Sequence, residues 1–320
     1  MIYLGLFILS FVLTYLIKNF YIKKSLVAAV NERSSHTTPT PHGGGIAIAI
    51  CWFIGLFILY FENSIDKTLF YALLIGIIIS SVSFFDDLFE LSPKLRLFVQ
   101  ALVASLGLYF LGGFDALDFG IFTISNQIFT NIFAFFMIIW FINLYNFLDG
   151  IDGYAGSEAI FLALAGFVLF ADSHFLVLVA CVAGFLILNW HKAKIFMGDV
   201  GSTLLGYNVA IFTIYYSNYE SSNFWVWIIL FSLFWFDATF TLIRRKVNKE
   251  KLSQAHKKHA YQRLHQSGWK HDKIVIASIL VNILLFVFVF TISNIFISFI
   301  IAMILLYAIM KFIDKRKAFA

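Results

Sequence analysis

The sequence predicts an all-α, polytopic integral membrane protein that forms a single domain over residues 1–320. The first observation is composition. The chain is 61% hydrophobic and 13% charged, whereas a soluble domain is nearer half apolar and a quarter charged. The second is that apolar runs recur along the whole chain, and a membrane-spanning helix needs only about 20 mostly apolar residues.

Eleven apolar runs are candidate transmembrane helices. They centre on residues 2–17, 45–61, 69–85, 97–111, 123–142, 158–170, 175–188, 202–216, 224–242, 274–292 and 295–312. The sixth and seventh runs are short and meet at the polar residues ADSH, so we interpret them as a hairpin of two spans, with one long helix as the alternative.

The basic residues of the connections support this count and predict an orientation. When the connections are numbered alternately, Lys67 is the one basic residue that falls opposite the others. Lys and Arg accumulate in cytoplasmic loops, so the N-terminus is expected outside and the C-terminus in the cytoplasm. If the two short runs formed one span, the later basic loops would lie on the other side of the membrane, so the asymmetry supports eleven spans.

Two further classes of site are not supported by the composition. Cys51 and Cys181 both fall inside apolar runs, which argues against a disulfide or a thiolate metal site. The isoelectric point near 9.0 follows from the basic cytoplasmic loops, so no nucleic-acid partner is expected.

The unusual polar motifs share the predicted cytoplasmic face. They are PTPHGGG at 39–45, FFDDLFELSPKLR at 84–96, NLYNFLDGIDGYAG at 143–156, KIFMGDVGS at 194–202 and AHKKHAYQRL at 255–264. The loops that carry them are expected near 31–45, 85–96, 143–157, 189–202 and 243–273. Any chemistry is therefore expected at the cytoplasmic side.

The central motif has polar side chains at every third position. Asn143, Asn146, Asp149 and Asp152 would form one polar stripe if the preceding helix continued through them. Such a stripe of amides and carboxylates can bind a divalent metal, or the edge of a base or a sugar. The alternative is a helix C-terminus with a glycine turn, although Asp is unfavourable at the negative end of a helix dipole.

Adjacent carboxylates end the third apolar run. Asp86 and Asp87 repel each other, which favours a bound cation or a basic partner such as Lys94 or Arg96. The alternative is a helix end that is simply solvated.

In FMGDVGS, a carboxylate lies between two glycines, just before an apolar run. Asp199 would stand at a helix N-terminus, where amide donors favour phosphate and the carboxylate can hold a bridging Mg²⁺. Ordinary N-capping is the alternative.

The longest loop contains two histidines three residues apart. His256 and His259 have the spacing of a zinc chelate, but neighbouring Lys257, Lys258 and Arg263 would repel a cation. Anion binding is the better interpretation, and an ordinary basic loop is the alternative.

Together, these five motifs resemble, in the same order, those of the polyprenyl-phosphate N-acetylhexosamine-1-phosphate transferases, closest to the bacterial enzymes that start O-antigen or related glycans. The resemblance implies transfer of N-acetylhexosamine 1-phosphate from a UDP-sugar to undecaprenyl phosphate, with release of UMP. It also implies Mg²⁺, with Mn²⁺ as a substitute, and a multi-pass location in the bacterial inner membrane with the active site facing the cytoplasm.

The resemblance implies roles residue by residue. Asp199 is expected to be the main metal ligand, with Asp87 and Asn143 beside it, and Asp86 and Asp87 to hold or deprotonate the lipid phosphate. Substrate contacts are expected from Lys94, Arg96, Asn143, Asn146, Asp149, Asp152, His256, His259 and Arg263. Two positions depart from relatives: Glu90 replaces a Lys of the peptidoglycan branch, and His42 replaces an Arg and is expected to make binding pH-sensitive.

Three other classes of protein compete with this interpretation. A transporter of a phosphorylated or nucleotide-linked solute would place ionisable residues near the bilayer midplane. An intramembrane aspartyl protease would need acids inside two spans, and only Asp237 is a candidate. A non-catalytic scaffold would tolerate loss of Asp199. The identity of the sugar, the glycan it enters and the oligomeric state, including a homodimer, stay open.

Overall fold

The structure is a computed structural model that describes residues 1–24, 27–28, 40–252, 254 and 256–319. Residues 31–39 of the predicted loop 31–45, including Arg33 and Pro39, lie outside the described residues. The described part is dominated by helices, and the chain is an all-α polytopic membrane protein.

The helices of the described part are α1 (Ile2–Lys23), α2 (Gly44–Phe61), α3 (Lys67–Leu74), α4 (Gly76–Phe89), α5 (Pro93–Leu111), α6 (Gln127–Leu148), α7 (Tyr154–Phe170), α8 (Ser173–Asn189), α9 (Asp199–Tyr219), α10 (Asn223–Leu230), α11 (Ser232–Val247), α12 (Ala260–Gln266), α13 (His271–Thr291) and α14 (Ile295–Arg316). Two antiparallel pairs of short strands accompany them: β1 (Val27–Ala28) with β2 (Thr40–Pro41), and β3 (Leu117–Asp118) with β4 (Thr123–Ile124).

Each predicted apolar run overlaps a helix, but length and hydropathy do not confirm eleven crossings. Among the described residues, seven helical segments are long and apolar enough to cross a membrane: α1, α2, α3 with α4, α5, α6, α13 and α14. The bent pair of α10 and α11 makes eight if it is one span. Helices α7 and α8 have 17 residues each.

The predicted run 224–242 is not one straight helix, because α10 and α11 meet at an angle of 72°. Side chains replace the helical hydrogen bonds at this point. The Ser232 hydroxyl donates to the Ile229 carbonyl at 2.6 Å, and the Trp235 indole donates to the Ile228 carbonyl at 2.7 Å. Insertion of side-chain donors into the backbone ladder is a known cause of sharp bends.

The fifth run also begins later than predicted. Residues 123–124 pair with residues 117–118 as a strand, so α6 starts only at Gln127. The Asn126 side chain accepts a hydrogen bond from the Phe129 amide at 3.0 Å and caps the helix.

Helix α9 lies at the centre of the bundle. Every residue from 200 to 217 is buried, and α9 contacts α2, α4 and α6. Protein surrounds it, so its hydroxyl groups are satisfied internally. Thr213 donates to the Val209 carbonyl at 2.8 Å, and Tyr207 donates to the Ala72 carbonyl at 2.7 Å. This explains why α9 is less apolar than a lipid-facing helix.

Two glycines allow α2 and α9 to touch. A Cβ on Gly201 would lie 2.8 Å from the Gly45 Cα, and a Cβ on Gly45 would lie 2.3 Å from the Gly201 nitrogen. Backbone hydrogen bonds continue the contact, from Gly44 N to the Phe196 carbonyl at 2.9 Å and from Phe196 N to the Pro41 carbonyl at 2.9 Å. The described part of PTPHGGG is thereby fixed against FMGDVGS.

Candidate active site

The structure brings together Asp199 and Asn146, which come from two of the five motifs. Asp199 is the first residue of α9, and its carboxylate accepts a hydrogen bond from the Asn146 amide nitrogen at 2.9 Å. The same nitrogen lies 3.0 Å from the Ser202 hydroxyl, which donates to the Gly198 carbonyl. Asp199 is thus oriented by the end of α6.

Asp87 approaches this point from α4. A Cβ on Gly198 would lie 3.4 Å from the Asp87 Oδ2 and 3.4 Å from the Gly43 nitrogen. Gly198 has φ of 75°, a conformation that L side chains rarely adopt, so glycine suits this crowded turn. The end of α4, the HGGG segment and the start of α9 therefore converge.

Asp86 has different partners from its neighbour. Its Oδ2 accepts from the Arg96 guanidinium at 3.1 Å, and its Oδ1 accepts from the Leu91 amide at 2.7 Å. These bonds close the turn between α4 and α5, where Glu90 has a left-handed φ of 49°. The two acids of the DD pair are therefore not equivalent: Asp86 holds Arg96, and Asp87 faces Gly198.

Asn143 is held by a residue that the sequence analysis missed. The Asn143 amide donates to Gln100 Oε1 at 2.8 Å and to the Ile139 carbonyl at 2.7 Å, and its own oxygen accepts from Gln100 Nε2 at 3.3 Å. Gln100 lies in the middle of the apolar helix α5, and a buried amide in such a helix is the signal that could have identified it.

These side chains line a cavity of about 300 Å³ between α4, α5, α6 and α9. Its polar lining consists of Ser83, Asp86, Arg96, Gln100, Asn143, Asn146, Asp199 and Thr203. Apolar residues such as Ile79, Val82 and Leu97 line the rest. Lys94, a predicted phosphate contact, is exposed and does not line this cavity.

Asp149 follows the last residue of α6 and does not continue the helical stripe. Burial raises the pKa of its carboxyl to about 7, and the negative charge of Asp199 adds to this effect. The carboxyl therefore lies within the electrostatic field of the Asp199 site. A bound cation would relieve this repulsion.

Asp152 is buried and has two histidine partners that the sequence analysis missed. Its Oδ2 lies 3.2 Å from the Nδ1 atom of His191 and 3.2 Å from that of His271. The ligand atoms of the three residues lie within 4.8 Å of one another, close enough for a shared metal ion such as zinc. Both contacts are hydrogen-bond distances, and they join the loops after α6 and α8 to the start of α13.

His256 and His259 line a second cavity, of about 510 Å³, together with Trp140, Phe147 and Arg245. The His259 Nδ1 lies 3.6 Å from Asp237, whose carboxylate accepts from the Ala260 amide at 2.9 Å. Asp237 thus fixes the start of α12, a role that its sequence position did not indicate.

The electrostatics of this histidine pair favour the neutral state of His256. Their ring centroids are 4.9 Å apart. Burial lowers the pKa of His256 to about 4, and the nearby charge of His259 acts in the same direction. His256 is therefore a neutral hydrogen-bonding group at neutral pH, as a diphosphate or sugar contact would allow.

Arg263 faces the C-terminal end of α14. It is buried and donates to the Asp314 carboxylate, and its Nε donates to the Lys317 carbonyl at 3.2 Å. It is not among the residues lining either cavity. The physical reason is that α12 directs Arg263 toward the end of α14, so we leave it out of the proposed substrate contacts.

His42 lies beside the Asp199 turn, with its ring centroid 5.5 Å from that of Phe196. Burial lowers the pKa of its imidazole, and the charge of Asp199 opposes this shift only in part. His42 is therefore a neutral group near the site.

Comparisons with known proteins identify the family of the chain. Residues 69–217 match the family model described as Glycosyl transferase family 4. The chain is 30% identical over 303 residues to a probable undecaprenyl-phosphate N-acetylglucosaminyl 1-phosphate transferase of Bacillus subtilis (strain 168). This match covers 89% of this chain and 80% of the relative. The chain belongs to the polyprenyl-phosphate N-acetylhexosamine-1-phosphate transferases of glycosyl transferase family 4.

Peptidoglycan enzymes are also similar. A phospho-N-acetylmuramoyl-pentapeptide-transferase of Streptococcus pneumoniae (strain CGSP14) is 32% identical over 188 residues, 52% of this chain and 56% of the relative. The enzyme of the same name from Streptococcus mutans serotype c is 30% identical over 239 residues, 65% of this chain and 70% of the relative.

Proposed function

We propose that this chain transfers N-acetylhexosamine 1-phosphate from a UDP-sugar to undecaprenyl phosphate and releases UMP. One observation carries the proposal: Asp199, oriented by Asn146, faces a cavity that also contains the Asp86–Arg96 pair. A carboxylate for a metal and a guanidinium for phosphate at one cavity suit a reaction between two phosphorylated substrates.

Mg²⁺ fits the residues at this point. Among the described residues, Asp87, Asp149 and Asp199 form no ion pair with Lys or Arg. Burial raises the pKa of Asp149, and the negative charge of Asp199 raises it further. Carboxylate and amide oxygens are the ligands that Mg²⁺ prefers. Asp199 and Asp87 would hold the ion, with Asn143 as a third ligand. When bound, the ion would neutralise charge on the diphosphate.

The chain's own residues would position the two substrates. A lipid phosphate is mostly ionised at neutral pH because its second pKa is about 6. Its oxygen would form a bond to the β-phosphorus of the UDP-sugar, while the bond from that phosphorus to the bridging oxygen breaks and UMP leaves. Arg96, held by Asp86, would stabilise the phosphate charge. A general base is not required at neutral pH.

The remaining residues divide between the ends of the donor. We assign the nucleotide to the loop after α6, with Asp149 and Asp152, beside Asn146. We assign the sugar to the cavity that His256 and His259 line, with the diphosphate extending from there to the Asp199 site. Phe147 lines both cavities and would lie between the two substrate regions.

We propose eleven membrane crossings, with the active site facing the cytoplasm of a bacterial inner membrane. The overlap of each apolar run with a helix supports the count. The contacts among the ends of α4 and α6 and the start of α9 support a single catalytic face. The excess of Lys and Arg in the loops at that face supports its orientation.

We propose that the product enters O-antigen or a related cell-surface polysaccharide, and that the donor is a UDP-N-acetylhexosamine. Because the Bacillus relative is a probable N-acetylglucosaminyl 1-phosphate transferase, UDP-N-acetylglucosamine is the first donor to test.

The test is nucleotide release by the purified protein in detergent with undecaprenyl phosphate, Mg²⁺ and a panel of UDP-N-acetylhexosamines. We expect one donor to yield UMP, and we expect Asp199→Asn and chelation each to abolish it. The control is Asp115→Asn, because Asp115 is exposed and lies outside both cavities. UMP release that survives in Asp199→Asn would refute the site assignment.

A further inference from the structure

Residues 314–319, here called the 314–319 segment, bind two arginines from other helices. The Asp314 carboxylate lies 2.9 Å from the Arg244 guanidinium of α11 and also accepts from Arg263 of α12. The Lys317 carbonyl accepts from Arg263 twice, at 2.5 Å and 3.2 Å. The end of α14 is thereby tied to α11 and α12.

An aromatic ring of the same segment adds a second set of contacts. The Phe319 ring centroid lies 3.9 Å from the Arg244 guanidinium carbon, 5.4 Å from that of Arg263 and 5.4 Å from the Lys258 ammonium. These distances are in the range of cation–π attraction. One carboxylate and one ring therefore hold three cations that would otherwise repel one another.

These cations border the loop that carries the histidines. We define the histidine loop as residues 248–259, of which 253 and 255 lie outside the described residues. Arg244 precedes the loop, Lys258 belongs to it and Arg263 follows it. Glu250 braces the loop from within, at 2.8 Å from Lys258 and 3.1 Å from Arg245.

The connection from Arg263 to His259 is short and stiff. His259 is the N-cap of α12, and its backbone amide donates to Gln262. Arg263 is one helical turn further on, and its own amide donates to the His259 carbonyl at 3.0 Å. A displacement of Arg263 would therefore displace α12 and, with it, the ring of His259.

We propose that the 314–319 segment is a positioning strap for the histidine loop, and that Asp314 acts on the reaction through Arg263 and His259. This inference rests on the proposed function, in which His256 and His259 contact the donor. Arg263 is 2% exposed, so removing the Asp314 charge would leave a buried cation with only carbonyl, thioether and ring partners. Small misplacements of contact groups are costly in rate.

The test compares Asp314→Asn and Phe319→Leu with Asp314→Glu and with the control Lys315→Gln, whose side chain is exposed. We expect kcat to fall about tenfold in Asp314→Asn, with KM for undecaprenyl phosphate nearly unchanged, because that substrate is assigned to the other cavity. Asp314→Glu keeps the charge and should recover part of the loss. Lys315→Gln should match the unmodified protein.

Limited trypsin digestion of the same proteins provides a readout that does not depend on activity. Lys249 and Lys251 are exposed sites within the histidine loop. We expect cleavage there to be several-fold faster in Asp314→Asn and Phe319→Leu than in Lys315→Gln. Phe319→Leu keeps the Arg263–Asp314 ion pair, so it still tests the proposal if Asp314→Asn does not fold.

The outcomes separate this inference from the proposed function. Absence of UMP release by the unmodified protein with every donor would refute the proposed function, and the positioning role with it, whatever the digestion shows. UMP release with unchanged kcat in both variants would overturn the strap alone. Faster cleavage with unchanged kcat would also overturn it, since the loop would then be loosened without consequence for the reaction.

Discussion

The Asn146 amide nitrogen donates a 2.9 Å hydrogen bond to the Asp199 carboxylate, across 53 positions of sequence. This bond links the end of α6 to the start of α9. It sets the direction of the carboxylate that we propose as the main Mg²⁺ ligand. Replacing a residue that orients a metal ligand typically lowers metal affinity or activity by roughly 10-fold to 100-fold.

Replacement of Asn146 should therefore weaken metal binding. We expect Asn146→Ala to raise the Mg²⁺ concentration for half-maximal activity by roughly 10-fold to 100-fold. Ser202→Ala removes only a partner of Asn146 and should have a smaller effect in the same direction. Metal titrations of activity measure both. Equal Mg²⁺ dependence in Asn146→Ala and the unmodified protein would contradict the role of the bond.

Gln100 should matter although it lies inside an apolar helix. Gln100→Leu removes both hydrogen bonds to Asn143, so we expect turnover to fall about tenfold. Gln127→Leu is the matched control, because Gln127 is exposed at the start of α6. Steady-state kinetics in detergent provide the comparison. A loss of similar size in the control would show that the effect is not specific to Asn143.

Asp149 should make stability depend on pH. Its folded-state pKa, about 7, exceeds the ordinary 3.8, so the folded protein binds this proton more tightly than the unfolded chain. The stability that protonation contributes is present at low pH and is lost as pH rises through about 7. Asp149→Asn mimics the protonated form.

Without divalent cations, Asp149→Asn should therefore melt at a higher temperature than the unmodified protein at about pH 8, and the gap should close as pH falls. The same substitution should reduce activity, since Asp149 is assigned to the nucleotide site. Thermal unfolding followed at several pH values is the measurement. An Asp149→Asn protein that is less stable at every pH would show that the ionised Asp149 carboxylate does not destabilise the fold.

His42 should affect binding only in acid. Its pKa lies below the ordinary 6.5, so the imidazole is neutral at neutral pH and gains charge as pH falls below that value. A charged His42 would attract Asp199 and compete with the metal. We expect the Mg²⁺ requirement of the unmodified protein to rise in acid, and this rise to be smaller in His42→Gln. Identical profiles would exclude His42 as the titrating group.

Local motifs in the sequence were enough to single out two residues that the structure places side by side. Asn146 and Asp199 were both singled out because each motif places a polar group at a helix end, and the structure brings them into contact. Hydropathy likewise predicted where the apolar helices lie along the chain. The bend at residue 231 was not, because it depends on the Ser232 hydroxyl and the Trp235 indole reaching backbone carbonyls.

Contacts between distant segments could not be inferred in this way. Gln100 reaches Asn143 across 43 positions, and the Asp152 amide lies 3.4 Å from the ring nitrogen of His271 across 119 positions. The family resemblance implied a substrate contact for Arg263. Its actual partner, Asp314, depends on where α14 ends in space, which no local pattern specifies.

The most direct test of the central claim uses a UDP-sugar labelled at the β-phosphorus, with the donor that yields nucleotide in the panel. We expect the label to move with the sugar to the undecaprenyl lipid and the released UMP to be unlabelled. Label that stays in released UDP would mean that the sugar moves without its phosphate, and the proposed reaction would be wrong.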